Sequence, residues 1–259
     1  MLTMEFIINQ MESWAPTHWA EDFDNVGLLV GSYSQPVKKV MVALDATIPI
    51  IKEAIAKKCD CIITHHPILR ESLKQINSQT SAGLKIMMLL QNNISLYTAH
   101  TNLDKAPGGV NCTLAKKLGF TSTKLMYPCP TNANIGYGRI ATVDTTLKNV
   151  LLNAEKALGL KKLAFTGDIN MPVKRIGMCG GSGMSFWQQA KNAGCQVYLT
   201  GDVKYSDALA AQEAGLSVVD ITHYVSENVI VEEIVKKLQN ANPDIEVFAT
   251  EVGNPVFVL

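Results

Sequence analysis

Strand-length apolar runs alternate with helix-length amphipathic segments along nearly all of this 259-residue chain, and that alternation leaves few folds open. Val40 to Leu44 reads as a buried strand ending at Asp45. Thr47 then caps a helix with Pro49 in its first turn, and Ile51, Ala54 and Ile55 keep helical spacing. Cys61 to Thr64 is the next strand and runs straight into His65-His66-Pro67, where proline removes a ladder donor and ends it. A helix over Ala82–Gln91 leads to a strand over Ile94–Thr98, which opens into Ala99-His100-Thr101-Asn102-Leu103-Asp104. Gly108-Gly109 precede a helix over Val110–Leu118.

The stretch from Thr121 to Asn134 holds two prolines and no periodicity, and reads as a boundary between lobes. A second series follows, with strands over Arg139–Val143, Leu163–Thr166, Arg175–Cys179 and Gln196–Thr200. Its helices fall at Leu147–Leu158, Phe186–Asn192 and Ser206–Ala214. Val218–Ile221 is another strand, His223 opens a helix reaching Leu238, and Ile245–Thr250 closes the chain. The expected organisation is an α/β protein of two packed α/β lobes. The first spans 1–125 plus 222–259 and carries the metal ligands; the second spans 126–221.

Composition excludes several classes. Hydrophobic residues make up 47% and charged residues 18%, the balance of a chain with a buried core and not of a disordered one. Lys+Arg and Asp+Glu are equal at 23 each, and no basic stretch interleaves with aromatics, which argues against a broad electrostatic grip on nucleic acid. No run of about 18 apolar residues exists to span a membrane. The N-terminus lacks the basic region and cleavage site of a signal peptide, and the six cysteines form no C-x-x-C pair, so a reducing, cytoplasmic setting is expected. Cys59 and Cys61 would share a strand face and could meet a metal, although small buried residues are the simpler reading.

The chemistry gathers at strand ends. Of five histidines, His65 and His66 follow one strand, His100 another and His223 a third. In open α/β sheets ligands bind beyond the carboxyl ends of the strands, so residues distant in sequence can converge there. Adjacent His65 and His66 cannot point the same way from extended backbone, so each can serve a different ion of a pair. His223 and Glu227 are one helical turn apart on one face, and Glu227 could bridge two ions while His223 binds one. Asp104 stands four residues after His100, which could be a ligand, an orienting group or a substrate contact. The mixed nitrogen and oxygen set suits iron, zinc or manganese and disfavours a thiolate site. Two such metals would activate a water for hydrolysis with no Ser or Cys nucleophile.

Other features are less specific. Cys179-Gly180-Gly181-Ser182-Gly183 lies between a strand and a helix, where backbone amides could nest a phosphate or merely turn the chain. The acidic loop Glu21 to Gly27 could contact substrate through Asn25 or be a solvated turn. Thr166-Gly167-Asp168 and Thr200-Gly201-Asp202 each follow a strand, and the latter, with Lys204 and Tyr205, could face the metal cleft from the second lobe.

Taken in order, several blocks resemble the Nif-three-like family, often labelled GTP cyclohydrolase one type two homologues. They are Trp19-Ala20-Glu21 through Asp24-Asn25-Val26-Gly27-Leu28-Leu29-Val30-Gly31, then Thr64-His65-His66-Pro67 and Tyr97-Thr98-Ala99-His100-Thr101-Asn102-Leu103-Asp104. Thr200-Gly201-Asp202 and His223-Tyr224-x-x-Glu227 complete the set. The resemblance implies two divalent metals in a cleft between the lobes: one held by one of the paired histidines with Asp104, the other by its neighbour with His223, and Glu227 bridging. It also implies a homohexameric ring, a trimer of dimers. Phe23 stands where the family commonly has Trp, Ser206 where a His is common, and Ile221-Thr222 replaces a small pair before His223. The expected function is a dinuclear metal-dependent hydrolase acting on a nucleotide-like or phosphate-bearing small molecule, with His100 as a proton shuttle or substrate contact. The alternative is a non-catalytic metal-binding ring acting as scaffold or regulator.

Overall fold

The structure, a computed structural model, describes residues 2–69 and 71–256. The chain divides into two compact units, one of 1–103 with 231–259 and one of 104–230. The sequence reading set the lobe limits at 125/126 and 221/222. The observed units place Asp104, His223 and Glu227 in the second unit, because the first turns of the last helix pack there through Ser226.

In the first unit α1 (Met4–Trp14) precedes β1 (Gly27–Val30), β2 (Lys39–Ala43), α2 (Ile48–Ala56) and β3 (Cys61–Thr64). Then come α3 (Ser81–Gln91), β4 (Ser95–Thr98) and α4 (Thr101–Lys105), whose last two residues belong to the second unit. Thr47 Oγ1 accepts the Ile50 amide at the start of α2, the cap expected from Thr-x-Pro. The sheet order is β1-β4-β3-β2 followed by the C-terminal strand; β2, β3 and β4 run parallel and β1 antiparallel to β4. All four residues of β3 and of β4 are buried, as strands covered on both faces must be. Met41, Ile51, Ile62, Leu89 and Leu96 form the core beneath the helices.

The second unit adds α5 (Val110–Lys117), β5 (Thr123–Cys129), β6 (Asn132–Thr146), α6 (Leu147–Leu158), β7 (Ala164–Phe165) and β8 (Pro172–Met178). It continues with α7 (Trp187–Asn192), β9 (Val197–Thr200), α8 (Tyr205–Glu213) and β10 (Ser217–Asp220). The last helix, α9 (His223–Ala241), begins here and passes into the first unit, where β11 (Glu246–Ala249) pairs parallel with β2. The second sheet has the order β5-β6-β8-β9-β10-β7 with β8, β9 and β10 parallel. Apolar side chains of α6 at Leu147, Val150, Leu151 and Ala154 form one stripe and close a core with Val173, Ile176 and Leu199. A second core around Met126, Ala190, Tyr198 and Leu216 fills the other face.

The stretch Thr121–Asn134, read as an aperiodic boundary, is instead the β5–β6 hairpin inside the second unit. Pro128 misled the reading: β5 is the edge strand of the sheet, where a missing amide donor costs no ladder bond. Among the described residues no helix is long and apolar enough to cross a membrane.

Candidate metal centre

In the first unit the register sets the site. Ala43 lies beside Thr64 and Thr64 beside Thr98, so the next residues of three parallel strands leave at one carboxyl edge. The ladder extends one step beyond the strands, with the His66 amide donating to the Leu44 carbonyl at 2.9 Å and that of Ala99 to Thr64 at 3.0 Å. Thr64 donates its hydroxyl to the His66 carbonyl at 2.9 Å, which leaves Thr98 to donate to Thr64 Oγ1. These bonds fix the backbone that carries His65 and His66.

Three imidazoles meet there. Ring centroids of His65 and His66 are 5.2 Å apart, those of His65 and His100 5.1 Å, and those of His66 and His100 5.6 Å. Each ring has an oxygen against Nδ1: the Ala99 carbonyl for His65 at 2.8 Å, Asp45 Oδ1 for His66 at 2.9 Å, and Asp24 Oδ1 for His100 at 2.9 Å. A proton held at Nδ1 leaves the lone pair on Nε2, the tautomer that binds a metal. His65 and His66 are buried. One nitrogen from each of the three rings lies within 4.8 Å of the others, close enough to hold an ion.

Asp24 secures this group from the loop before β1. Its side chain is 3% exposed, and it also accepts the Thr101 amide at 3.0 Å and the Thr101 hydroxyl at 2.5 Å. Burial acts to raise its carboxyl, but the bonds from His100 and Thr101 outweigh burial and hold it well below the usual carboxylate range. Asp24 is therefore built into the fold, while Asp22 and Phe23 of the same loop are exposed. Asn25, which could have met a ligand or stood in a solvated turn, donates Nδ2 to the Leu69 carbonyl at 3.0 Å.

In the second unit β8, β9 and β10 deliver their ends to a common edge in the same way. His223 Nδ1 meets Asp202 Oδ2 at 2.6 Å, and its Nε2 meets Glu227 Oε2 at 2.8 Å. An imidazole with a carboxylate on each nitrogen calls for a cation between Nε2 and Oε2, either a second ring proton or a metal. Glu227 is 4% exposed, and a carboxylate oxygen of Asp104 lies within 4.8 Å of one of its own. A buried acid and a half-buried one at that distance repel each other unless a cation separates them. Nitrogen, oxygen and charge thus fit a divalent metal, and the buried histidine and glutamate groups of the chain could hold one.

The glycine loop after β8 does not cradle an anion. The Gly180 amide donates to Asn111 Oδ1, the Gly181 amide to Ser226 Oγ and the Gly183 amide to Thr200 Oγ1. The loop makes room instead: a Cβ on Gly181 would sit 2.0 Å from Glu227 Oε1, and one on Gly201 would sit 2.5 Å from the His223 amide nitrogen. Thr222 holds φ of +61°, costly for a β-branched residue, so the backbone entering His223 is strained; Asp202 holds φ of +53°, which an aspartate tolerates. The cysteines take no part. Burial pushes Cys59 up to about 11 and Cys61 and Cys179 higher still, the latter reinforced by Asp104 and Glu227.

Sequence reasoning put the Thr200-Gly201-Asp202 block near the cleft but did not pair any oxygen with a ring Nδ1, and it missed the roles of Asp24 and Asp45. Asp45 and Asp202 are the residues just beyond β2 and β9, so the strand-end rule that found the histidines also covers them.

These features define an α/β protein carrying histidine and carboxylate groups that could bind metal. A family model described as Duf34/NIF3 (NGG1p interacting factor 3) matches residues 2–255, and the chain belongs to that family. A relative from Clostridium perfringens, named GTP cyclohydrolase 1 type 2 homolog, is 36% identical over 97% of both chains. One of the same name from Lactococcus lactis is 31% identical over 96% of both. A Staphylococcus aureus hypothetical protein, SA1388, superposes with a TM-score of 0.92 at 30% identity over 99% of both chains. A Bacillus cereus protein related to NIF3 shares the fold with a TM-score of 0.93 over 100% of this chain and 99% of its own.

Proposed function

We propose that His65, His66, Asp104, His223 and Glu227 hold two divalent ions of iron, zinc or manganese, and that the protein is a hydrolase of nucleotide-like or phosphate-bearing small molecules. The observation that carries this reading is the tautomer arrangement. An oxygen stands behind Nδ1 of His65, His66, His100 and His223, which turns four Nε2 atoms into donors of one kind. Ions bound there supply Lewis acidity toward water and the substrate's oxygens. Asp45 and Asp202 orient His66 and His223, and the Ala99 carbonyl orients His65. His100 is the proton-transfer group: ionised Asp24 holds the proton at Nδ1 and leaves Nε2 to accept one and give it back. The relatives named as GTP cyclohydrolase homologues support a purine nucleotide as the first compound to try. We place the enzyme in the cytoplasm, as a homohexameric ring.

Elemental analysis of the purified protein beside Glu227→Ala, with a hydrolysis screen of nucleotides and phosphoesters, tests the reading. Two metals per chain, lost in the variant together with turnover, are expected. Turnover that survives complete metal removal sinks it. Two metals with no turnover would favour a scaffold or regulatory protein, a reading that the family's description as an interacting factor supports.

A further inference from the structure

Within the second unit the α4–α5 loop, the first turn of α5 and the β5–β6 hairpin line a cavity of about 510 Å³. Three basic residues, Lys105, Lys124 and Arg139, are among its lining residues, and Asp104 is the one acidic residue there. Lys105 is buried, with Nζ 5.3 Å from the centroid of the Tyr137 ring. Arg139 is fixed in place: Nε donates to Thr123 Oγ1 at 3.0 Å and Nη2 to the Thr123 carbonyl at 3.2 Å. A guanidinium held by its own strand partner loses little freedom when it meets an anion. Asn111 and Cys112 come from the first turn of α5, whose N-cap is Gly109 and offers those amides no side chain. No aromatic ring lines the cavity among the described residues, so it lacks a platform for a base and suits an anion.

We propose that this cavity binds the phosphate group of a phosphorylated small molecule, either a phosphate ester or a diphosphate. A phosphate carries about −1.5 to −2 charges at neutral pH, which matches the excess of cations over the one carboxylate. The cavity falls within the range of roughly 300–1,000 Å³ of small-molecule sites, leaving space for the organic part beside the phosphate. The inference rests on the hydrolase reading in one respect: Asp104, assigned there to a metal, also lines this cavity, so the phosphate would be delivered next to that ligand. Sequence gave no sign of the site, because its cations come from a helix, an edge strand and a long strand without any shared motif.

Calorimetric titration of the full-length protein with inorganic pyrophosphate, once treated with chelator and once reconstituted with metal, tests the proposal. Saturable binding to the chelator-treated protein is expected, weakened about tenfold by Lys124→Glu and by Arg139→Gln, and falling as salt rises. Lys124 is exposed on the edge strand, so its variant keeps the test sound if Arg139→Gln fails to fold. No binding to either form overturns the proposal. So does binding that both folded variants keep at wild-type strength, or binding seen only after reconstitution and indifferent to the substitutions. Elemental analysis of the same samples reports separately on the metals. Pyrophosphate bound by a protein that takes up no metal would uphold this site and defeat the hydrolase reading; two ions per chain without pyrophosphate binding would defeat this site and leave the hydrolase reading to the turnover screen.

Discussion

Gly181 limits what the Glu227 carboxylate can reach. Its φ of +64° costs an L-residue about 1 kcal/mol, and an added Cβ would collide with Oε1. Gly181→Ala is therefore expected to fold, with unchanged far-UV circular dichroism, and to bind metal roughly 10–100-fold more weakly because the carboxylate must rotate away. A Gly181→Ala protein that retains full metal content through dialysis would show that Glu227 is not a ligand. Asp202→Asn tests the other side of the same group. It leaves the His223 ring seated but weakens the oxygen that sets its tautomer, and a loss of metal affinity of about the same size is expected by equilibrium dialysis. The histidines, Asp104 and Glu227 could be singled out in the sequence because their chemistry is rare and their positions fall at strand ends. Asp24 and Asp45 could not be told from ordinary turn residues, and the block holding Asp202 could be placed near the cleft but not paired with His223, since such a partner is chosen only when the sheet closes.

Elements with a strong local signal were legible to within a residue or two. Thr47 and Pro49 announced α2, and Thr47→Ala is expected to cost about 1 kcal/mol in urea unfolding, the usual value of an N-cap. The β5–β6 hairpin was not legible: its edge position, which makes Pro128 harmless, is a property of the whole sheet. Nor could sequence show how β11 is tethered. Glu53 of α2 accepts hydrogen bonds from Lys57, from Thr250 Oγ1 and from the Glu251 amide. Burial acts to raise its carboxyl, and these bonds more than offset that and hold it below the usual range, while Glu251 and Glu53 push Lys57 up to about 12. A carboxyl depressed in the folded state contributes stability that is complete above its unfolded pKa and is lost as pH falls through the folded value. The stability gap between the wild type and Glu53→Gln should then be largest near neutral pH and shrink below about pH 4. A gap that stays constant from neutral pH to well below about pH 4 in urea titrations would disprove the tether's ionic character.

At the scale of the molecule, two α/β units with parallel strands at their centres followed from the alternation of apolar runs, because strand-length and helix-length patterns admit little else. What the alternation cannot convey is where one unit ends. The chain changes unit within α4 and again within α9, and a helix shows no break in periodicity when its neighbours change. That continuity has a consequence for stability. The proposed ligands come from both units, His65 and His66 from one and Asp104, His223 and Glu227 from the other. If they bind the same ions, metal must stabilise each unit against unfolding, since losing either destroys the ligand set. With free metal at about 100 times its dissociation constant the gain is about 2.7 kcal/mol, which for a chain of this size raises the melting temperature by roughly 5–10 °C. Differential scanning calorimetry before and after chelation should show that shift in every transition of the wild type and a smaller one in His65→Ala, which keeps His66, His223 and Glu227. A shift confined to one transition, with a second left at its chelated temperature, would mean that the ions bind within a single unit and that the shared-ligand assignment is wrong.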